Sequence, residues 1–235
     1  MSDAGSAVII GAAGGIGAAL ADAIAADGRY RVVHRLSRSA SPPWQIDLTD
    51  EASVAAAAQH VQAAGVPPRL LVIATGLLHR GERRPERSPA DLDPDWMAEN
   101  FAINAIGPAL VAKHFLPLMP RRGRAVFAAL SARVGSIGDN RSGGWHSYRA
   151  SKAALNQLIR SIAIGETRRN DQAVVVALHP GTVDTRMSAP FQRSVPAGNL
   201  VTPAIAANNL LRVIEALTPA QTGRIFAWDG AEITP

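Results

Sequence analysis

Short apolar segments alternate with longer segments of helical periodicity along the 235 residues, and this alternation restricts the possible folds more than any other feature. Short apolar strands separated by helices are typical of βαβ units, in which a parallel sheet is covered on both faces. We therefore predict a single α/β domain over residues 1–235, a Rossmann-type doubly wound parallel sheet of about seven strands. The predicted strands are 7–10, 31–36, 44–46, 70–74, 124–130, 174–178 and 224–227. The predicted helices are 16–26, 50–64, 95–119, 147–168 and 203–217, and Thr49 is the expected N-cap of the second.

The composition excludes several classes of protein. The chain has no cysteine, which excludes disulfides and cysteine-ligated zinc and favours the cytoplasm, and its six histidines show no metal-ligand spacing. The net charge is +5, but the basic residues fall in separate clusters at loops and helix ends, and only 5% of residues are aromatic. We expect no nucleic-acid partner, because stacking side chains along a basic track are missing. The first apolar run, 7–10, is too short to cross a membrane.

A glycine-rich turn, residues 11–17, joins the first predicted strand to the first predicted helix. Glycines at such a junction let the backbone approach a pyrophosphate, whose charge is met by free N–H groups at the helix N-terminus. The turn fits two spacings, because its second glycine can be Gly14 or Gly15. A purely structural turn is the alternative, but the strand–turn–helix context favours dinucleotide binding.

Tyr148 and Lys152 lie four residues apart in a predicted helix, so their side chains share one face. A nearby ammonium can lower the pKa of a phenol, and we expect this effect to make Tyr148 a proton donor and acceptor near neutral pH. An ordinary surface pair is the alternative. Lys152 is, however, one of only two lysines among 24 basic residues, and an arginine would replace a compact ammonium poorly at such a position.

With these motifs the chain resembles the short-chain dehydrogenase/reductase family over nearly its whole length, and its 143–145 and 226–230 segments resemble the C-factor or sniffer-type carbonyl reductase branch. The resemblance implies an oxidoreductase that transfers hydride between a nicotinamide and a carbonyl or alcohol. It also implies that the catalytic residues are Asn104, Ser131, Tyr148 and Lys152. The cofactor-binding residues are expected to be Gly11, Gly15, Ile16, Gly17, Ser37, Arg38, Asp47, Leu48, Ala74, Thr75, Gly76, Tyr148, Lys152, Pro180, Gly181, Val183 and Thr185.

On this resemblance Tyr148 is the general acid in reduction, and Lys152 holds the nicotinamide ribose. Asn104 is expected to hold a water that relays protons to Lys152, or else to be a helix-interior Asn that bonds backbone. Ser131 is expected to donate to the substrate oxygen, since the end of a strand points its side chain into the cleft. Ser136 competes for this role, because Ser131 lies 17 residues before Tyr148, a few more than is usual in the family.

Two further features depart from the family pattern or extend it. The segment after the fourth predicted strand, 74–76, lacks the usual Asn-Asn-Ala-Gly, so a side-chain hydrogen bond to the cofactor is in doubt there. NADP(H) is expected over NAD(H), because no acid occurs between the second strand and Asp47 to bind a ribose 2′-hydroxyl. Ser37 and Arg38 can instead bind a 2′-phosphate. Arg35 is the next candidate for binding this phosphate. The alternative interpretation is that Arg38 is only a solvated residue of the loop.

The substrate is only weakly specified. Two loops, 77–94 and 185–202, follow predicted strands on the side where such sheets bind ligands. Residues that can line an apolar pocket, or can equally be ordinary packing, are Leu77, Leu78, Ile137, Trp145, Met187 and Phe191. The alternative to an enzyme is a non-catalytic dinucleotide sensor of the same fold, which would be expected to lack Tyr148 or Lys152. We expect a homodimer or homotetramer built on helices 95–119 and 147–168, with Ala153, Ala154 and Ala163 allowing close packing.

Overall fold

The computed structural model describes residues 5–196 and 198–235. In the described chain one sheet has six parallel strands in the order β2-β1-β3-β4-β5-β8, and a second sheet pairs β6 with β7. The strands are β1 (Ser6–Ile10), β2 (Val32–Leu36), β3 (Pro68–Ile73), β4 (Ala125–Leu130), β5 (Ala173–His179), β6 (Thr182–Val183), β7 (Leu200–Val201) and β8 (Ile225–Ala227). The α-helices are α1 (Gly15–Asp27), α2 (Glu51–Ala63), α3 (Pro94–Phe101), α4 (Gly107–Phe115), α5 (His146–Arg169) and α6 (Pro203–Ala216).

Alternate residues of each central strand point to opposite faces and build two hydrophobic cores. In β1, Val8 and Ile10 pack with α2, α4 and α5, whereas Ala7 and Ile9 pack with α1 and α6. Both faces of the sheet are therefore buried, which is why its strands are continuous apolar runs. The predicted doubly wound α/β fold is confirmed.

The predicted strand 44–46 is wrong, and only a single parallel bridge between Ser37 and Gln45 remains of it. Ser37 donates its N–H to the Trp44 carbonyl and accepts from the Ile46 N–H. The next amide, that of Asp47, donates to the Ser53 hydroxyl of α2 and leaves the sheet. The N-cap of α2 is Asp50 and not Thr49, because the Asp50 carboxylate accepts from the Ala52 N–H.

The predicted helix 95–119 consists of α3 and α4 joined by a π-helical turn, Ala102–Ile106, and it ends in a 3₁₀ turn, Leu116–Leu118. A π turn inside a helix shifts the side chains that follow it and is common at functional sites. The combined segment, Pro94–Leu118, is long and apolar enough to cross a membrane by length and composition alone, with 44% of its most apolar window buried. Here α4 packs on α2 and α3 packs on α5, as helices of the protein core do.

The arginine-rich loop between β3 and α3 is tied to α3 by ion pairs. Arg80 pairs with Glu99, and Arg83 pairs with Asp93 at 2.6 Å while its guanidinium lies 5.1 Å from the centre of the Trp96 ring. Two of the four arginines of this loop are therefore paired with acidic residues of α3 or its N-cap.

Candidate active site

The glycine turn connects β1 to α1 in a way that larger residues would prevent. Gly11 has φ of 90°, and a Cβ there would lie 2.9 Å from the Ala74 carbonyl. A Cβ on Gly17 would lie 2.2 Å from the Gly11 carbonyl oxygen, closer than atoms can approach. A Cβ on Gly15 would lie 3.0 Å from the Thr185 methyl group, so the segment after β5 packs against this turn.

The N-terminus of α1 is open to an anion. Its N-cap is Gly14, which offers no side-chain cap, and its first turn carries no acidic residue. The first N–H groups of a helix have no acceptor within the helix, and here they belong to Gly15, Ile16 and Gly17. Beside the turn, the buried Thr75 hydroxyl has no hydrogen-bond partner in the described structure. This site fits the pyrophosphate of a dinucleotide. It combines a turn that only glycine can form with the free N–H groups of α1 and the Thr75 hydroxyl, which lacks a partner in the described structure.

The end of β2 carries the residues expected to distinguish NADP from NAD. Arg35 is paired with Asp22 of α1 at 2.6 Å, whereas Arg38 is exposed and forms no ion pair with any described carboxylate. Asp47 accepts hydrogen bonds from the N–H and hydroxyl of Thr49, and these bonds, with a smaller contribution from the Arg38 charge, lower the pKa of Asp47.

Two other predicted cofactor residues at this edge are buried. Ser37 lies in the bridge to Gln45, and Leu48 packs against Gly107, where a Cβ would lie 2.6 Å from the Leu48 Cβ. The Leu48 side chain is therefore part of the hydrophobic core, and its contact with the cofactor stays a prediction.

Tyr148 and Lys152 are buried together on α5, with 8% and 2% of their surfaces exposed. The Lys152 ammonium donates to the Leu130 carbonyl at the end of β4 at 2.8 Å and lies 5.9 Å from the centre of the Tyr148 ring. Burial raises the pKa of Tyr148 to about 12 and lowers the pKa of Lys152 to about 8. The expected lowering of the Tyr148 pKa is therefore wrong for this structure, because desolvation of the phenolate is the dominant effect.

Asn104 lies in the π turn and connects three parts of the site. Its side chain accepts from the Leu77 N–H at 2.7 Å and donates to the Leu77 carbonyl at 2.9 Å and to the Ser151 hydroxyl at 3.0 Å. Asn104 therefore bonds to backbone groups, as the alternative to the relay-water role predicts. These groups belong to the loop after β3 and not to the helix that contains Asn104. A Cβ on Gly76 would lie 3.6 Å from the Asn104 carboxamide oxygen and 3.7 Å from the Lys152 nitrogen, so both side chains lie beside Gly76.

Both candidate serines are buried, and both hydroxyls are hydrogen-bonded. Ser131 directly follows β4, and its hydroxyl donates to the Asn156 carboxamide oxygen of α5 at 2.7 Å. The side chain therefore points to α5 and not into an open cleft. Its partner Asn156 lies two turns beyond Tyr148 on that helix. The Ser136 hydroxyl accepts from the Asp139 N–H at 3.0 Å and caps a turn.

The segment after β5 contains four of the predicted cofactor residues. Gly181 has φ of 77°, and a Cβ there would lie 2.9 Å from the Trp228 ring. Val183 lies in β6 and pairs with Val201, and Thr185 reaches the glycine turn as described above. Just before Pro180, burial lowers the pKa of His179 to about 4, with a smaller effect of Arg133, so this imidazole is neutral at physiological pH.

The six residues predicted to line an apolar pocket differ in their burial and in the groups that lie beside them. Leu77 and Leu78 are buried, and Ile137 is 77% exposed, so it lines no enclosed pocket. Trp145, in contrast, lies 6.3 Å from the Tyr148 ring and 5.1 Å from the Phe191 ring, measured between centroids. The Met187 methyl group would be 3.4 Å from a Cβ on Gly76, the glycine beside which Asn104 and Lys152 also lie. Trp145 therefore lies beside Tyr148, Phe191 lies beside Trp145, and Met187 lies beside Gly76.

Sequence reasoning missed two residues with clear roles in this geometry. Asn156 holds Ser131, and Glu86 contacts the start of α5 with only 3% of its surface exposed. Asn156 could have been found as a polar residue on the apolar face of a helix, eight residues after Tyr148. Glu86 could not, because it lies among four arginines in a segment that looks solvated. Among the described residues no group of three or more His, Asp or Glu is placed to hold a metal ion.

A family model described as short chain dehydrogenase matches residues 6–195. The chain belongs to the short-chain dehydrogenase/reductase family. It is therefore an oxidoreductase. C-signal of Myxococcus xanthus is 38% identical over 143 residues, which cover 61% of this chain and 81% of that protein. The 1-hydroxy-2-glutathionyl-2-methyl-3-butene dehydrogenase of Rhodococcus sp. (strain AD45) is 32% identical over 185 residues, covering 79% and 76% of the two chains.

Solved carbonyl reductases have the same fold. The structure of NADPH-bound carbonyl reductase from chicken fatty liver aligns with a TM-score of 0.81 at 24% identity, covering 98% of this chain and 94% of that chain. Carbonyl reductase Sniffer of D. melanogaster aligns with a TM-score of 0.77 at 20% identity, covering 98% and 99%. These alignments show the shared fold, and the similarity to C-signal supports the predicted resemblance to the C-factor and sniffer-type branch.

Proposed function

We propose that the protein is an NADP(H)-dependent reductase of aldehydes or ketones with a largely apolar body, with Tyr148 as the proton carrier. The observation that carries the proposal is the burial of Tyr148 and Lys152 on one face of α5, where the Lys152 ammonium and the Asn104 side chain both lie beside Gly76. A buried phenol and ammonium cost stability, and such pairs are characteristic of functional sites. The cofactor would supply the hydride when bound, and the chain supplies the proton and the geometry.

The high pKa of Tyr148 suits reduction. A phenol whose pKa is raised to about 12 is protonated at neutral pH and is ready to donate. The oxygen formed by hydride addition is an alkoxide, a stronger base than a phenolate, so the proton transfer to it is favourable. Lys152, with its pKa lowered to about 8, is mostly charged at neutral pH and would stabilise negative charge on Tyr148 after the transfer.

Ser131 is proposed as the hydrogen-bond donor to the substrate oxygen, with Ser136 as the competitor. To donate to substrate, the Ser131 hydroxyl would turn from the Asn156 carboxamide, which its O–H rotation allows. Asn104 is proposed to fix the loop after β3 through Leu77 and to border the Lys152 nitrogen, where it can hold a relay water.

The preference for NADP(H) is supported by the charges at the end of β2. Arg38 is exposed and unpaired among the described residues, whereas Arg35 is paired with Asp22. A guanidinium that is not already engaged can bind two phosphate oxygens. Residues expected to contact the rest of the dinucleotide are the N-terminal turn of α1, the segment 74–76 and the segment 180–185.

A homodimer or homotetramer is proposed on α5 and on the segment that contains α3, the π turn and α4, which expose Ile164 and, in the π turn, Ile106. Ala153 and Ala154 are half-buried and can allow close packing, but Ala163 is buried within the protomer and cannot contribute to that surface. Light scattering at micromolar concentration tests this proposal, and a monomer mass would reject it.

The test of function is consumption of NADPH and NADH, followed by absorbance, with a panel of aldehydes, ketones and diones. We expect kcat/KM to be higher with NADPH. Equal or better use of NADH would reject the cofactor proposal. Tight NADPH binding with no turnover on any carbonyl would favour a sensor, and failure to bind either dinucleotide would reject both functions.

A further inference from the structure

Three consecutive residues before α5 have left-handed backbone conformations. Gly143, Gly144 and Trp145 have φ of 61°, 63° and 51°. Among the described residues Trp145 is the only one other than glycine with positive φ. A bulky residue adopts this conformation only when its surroundings enforce it, and such residues cluster at functional sites.

Glu86 and Arg149 hold this turn from opposite sides. The Glu86 carbonyl accepts from the Trp145 N–H at 2.6 Å, and its carboxylate accepts from the Ser147 N–H at 3.3 Å and from the Ser147 hydroxyl. The Arg149 guanidinium donates to the carbonyls of Gly143 and Gly144 at 3.2 and 3.0 Å.

Glu86 and Ser147 are both buried, and no described cation forms an ion pair with the Glu86 carboxylate. The partners of this carboxylate are instead donors in the first turn of α5, where the helix carries partial positive charge. The loop after β3 is therefore fixed to the catalytic helix at Glu86, in addition to its attachment at Leu77 through Asn104.

The turn that Glu86 holds determines where the Trp145 ring lies. Trp145 immediately precedes α5, and Tyr148 is the third residue of that helix. The left-handed conformation directs the indole toward the rings of Tyr148 and Phe191. If Trp145 relaxed to an ordinary conformation, its side chain would leave this position while Tyr148 could stay on its helix.

We propose that Glu86 is a positioning residue that holds Trp145 as the wall of the carbonyl-binding pocket, which makes Trp145 a residue that determines substrate specificity. This inference rests on the proposed function, since it assigns the wall to that same site. The substrate class that fits a flat indole beside a phenyl ring is a carbonyl compound with an aromatic or extended apolar substituent.

The experiment compares kcat/KM for an aryl ketone and for propanal in Glu86→Gln, Trp145→Ala and the double variant. Glu82→Gln is the matched control, because Glu82 lies in the same loop and is exposed. We expect Glu86→Gln and Trp145→Ala each to change the ratio of the two values at least fivefold, and the double variant to equal Trp145→Ala. Equal losses on both substrates in Glu86→Gln, or effects that multiply in the double variant, would overturn the proposal.

A second measurement does not depend on turnover. Hydrogen exchange of the Trp145 and Ser147 amides should accelerate at least tenfold in Glu86→Gln and stay unchanged in Glu82→Gln. Unchanged exchange in both variants would overturn the positioning role even if the wild type reduces carbonyls. Accelerated exchange in Glu86→Gln, combined with no turnover of any carbonyl by the wild type, would instead reject the proposed function alone. Ser147→Ala, which removes the hydroxyl that Glu86 accepts from, replaces Glu86→Gln if that variant does not fold.

Discussion

Replacing Lys152 with methionine should stabilise the folded protein at neutral pH while abolishing turnover. Burial lowers the pKa of Lys152 from 10.5 to about 8, and this difference of about 2.5 corresponds to about 3 kcal/mol at 1.36 kcal/mol per unit. The variant loses the hydrogen bond to the Leu130 carbonyl, which costs about 1–2 kcal/mol. Lys152→Met should therefore be more stable than the wild type by about 1–2 kcal/mol at pH 7.

The sign of this difference should reverse as the pH rises. Between about pH 8 and 10.5 the unfolded chain binds more protons at residue 152 than the folded chain does, so the unfolding free energy of the wild type increases with pH. Lys152→Met lacks this group. By pH 10.5 the wild type should have regained about 3 kcal/mol and should be the more stable protein. Tyr148 titrates in both proteins, so its effect largely cancels from the difference.

The assay is urea unfolding followed by circular dichroism at fixed protein concentration from pH 7 to 10.5, with unchanged m-values as the criterion for comparison. Lys113→Met is the matched control, because Lys113 is the other lysine, has a 62% exposed side chain and pairs with Glu51. Its effect should stay within about 1 kcal/mol. A difference between Lys152→Met and wild type that is constant with pH would refute burial of the charge as the cause.

Three further substitutions test the site. Tyr148→Phe should reduce turnover by orders of magnitude and leave dinucleotide binding, measured by fluorescence titration, nearly intact; near wild-type turnover would remove Tyr148 from the mechanism. Ser131→Ala should lower kcat/KM by an amount equivalent to about 2.7–4 kcal/mol if Ser131 is the main donor to the oxyanion. A larger loss in Ser136→Ala, measured in the same kinetic assay, would transfer that role to Ser136. Arg38→Asp should raise KM for NADPH strongly and KM for NADH much less, whereas a parallel change in both would show that Arg38 contacts no 2′-phosphate.

Much of the fold could be predicted because the signals are local. Strand β1, the glycine turn and α1 form one continuous pattern, and the buried strands are apolar on both faces. The strand predicted at 44–46 failed for a tertiary reason, because the Asp47 amide bonds to Ser53 and turns the chain toward α2. The π turn around Asn104 was not predicted either, since no local pattern in an apolar helix distinguishes an added residue in one turn.

The sequence placed Tyr148 and Lys152 on one helix face but gave the wrong direction for the pKa of Tyr148. Spacing shows that Tyr148 and Lys152 share a helix face, but it does not show how deeply that face is buried. In the structure the ammonium bonds to a backbone carbonyl of β4, and desolvation determines both pKa values. The pKa values of Tyr148 and Lys152 depend on how deeply the two side chains are buried, and this could be learned only from the tertiary structure.

The polar stripe on α5 explains how one helix can position the whole site. Its buried polar residues each bond to a different element. Ser147 bonds to Glu86 of the loop after β3, Ser151 to Asn104 of the π turn, Lys152 to the last residue of β4, and Asn156 to Ser131 just beyond β4. Buried polar groups are costly when unpaired, so a shift of α5 by a fraction of a turn would break all of these bonds together. These bonds also fix Tyr148 relative to β4, the π turn and the loop after β3, which a purely apolar face would do less specifically.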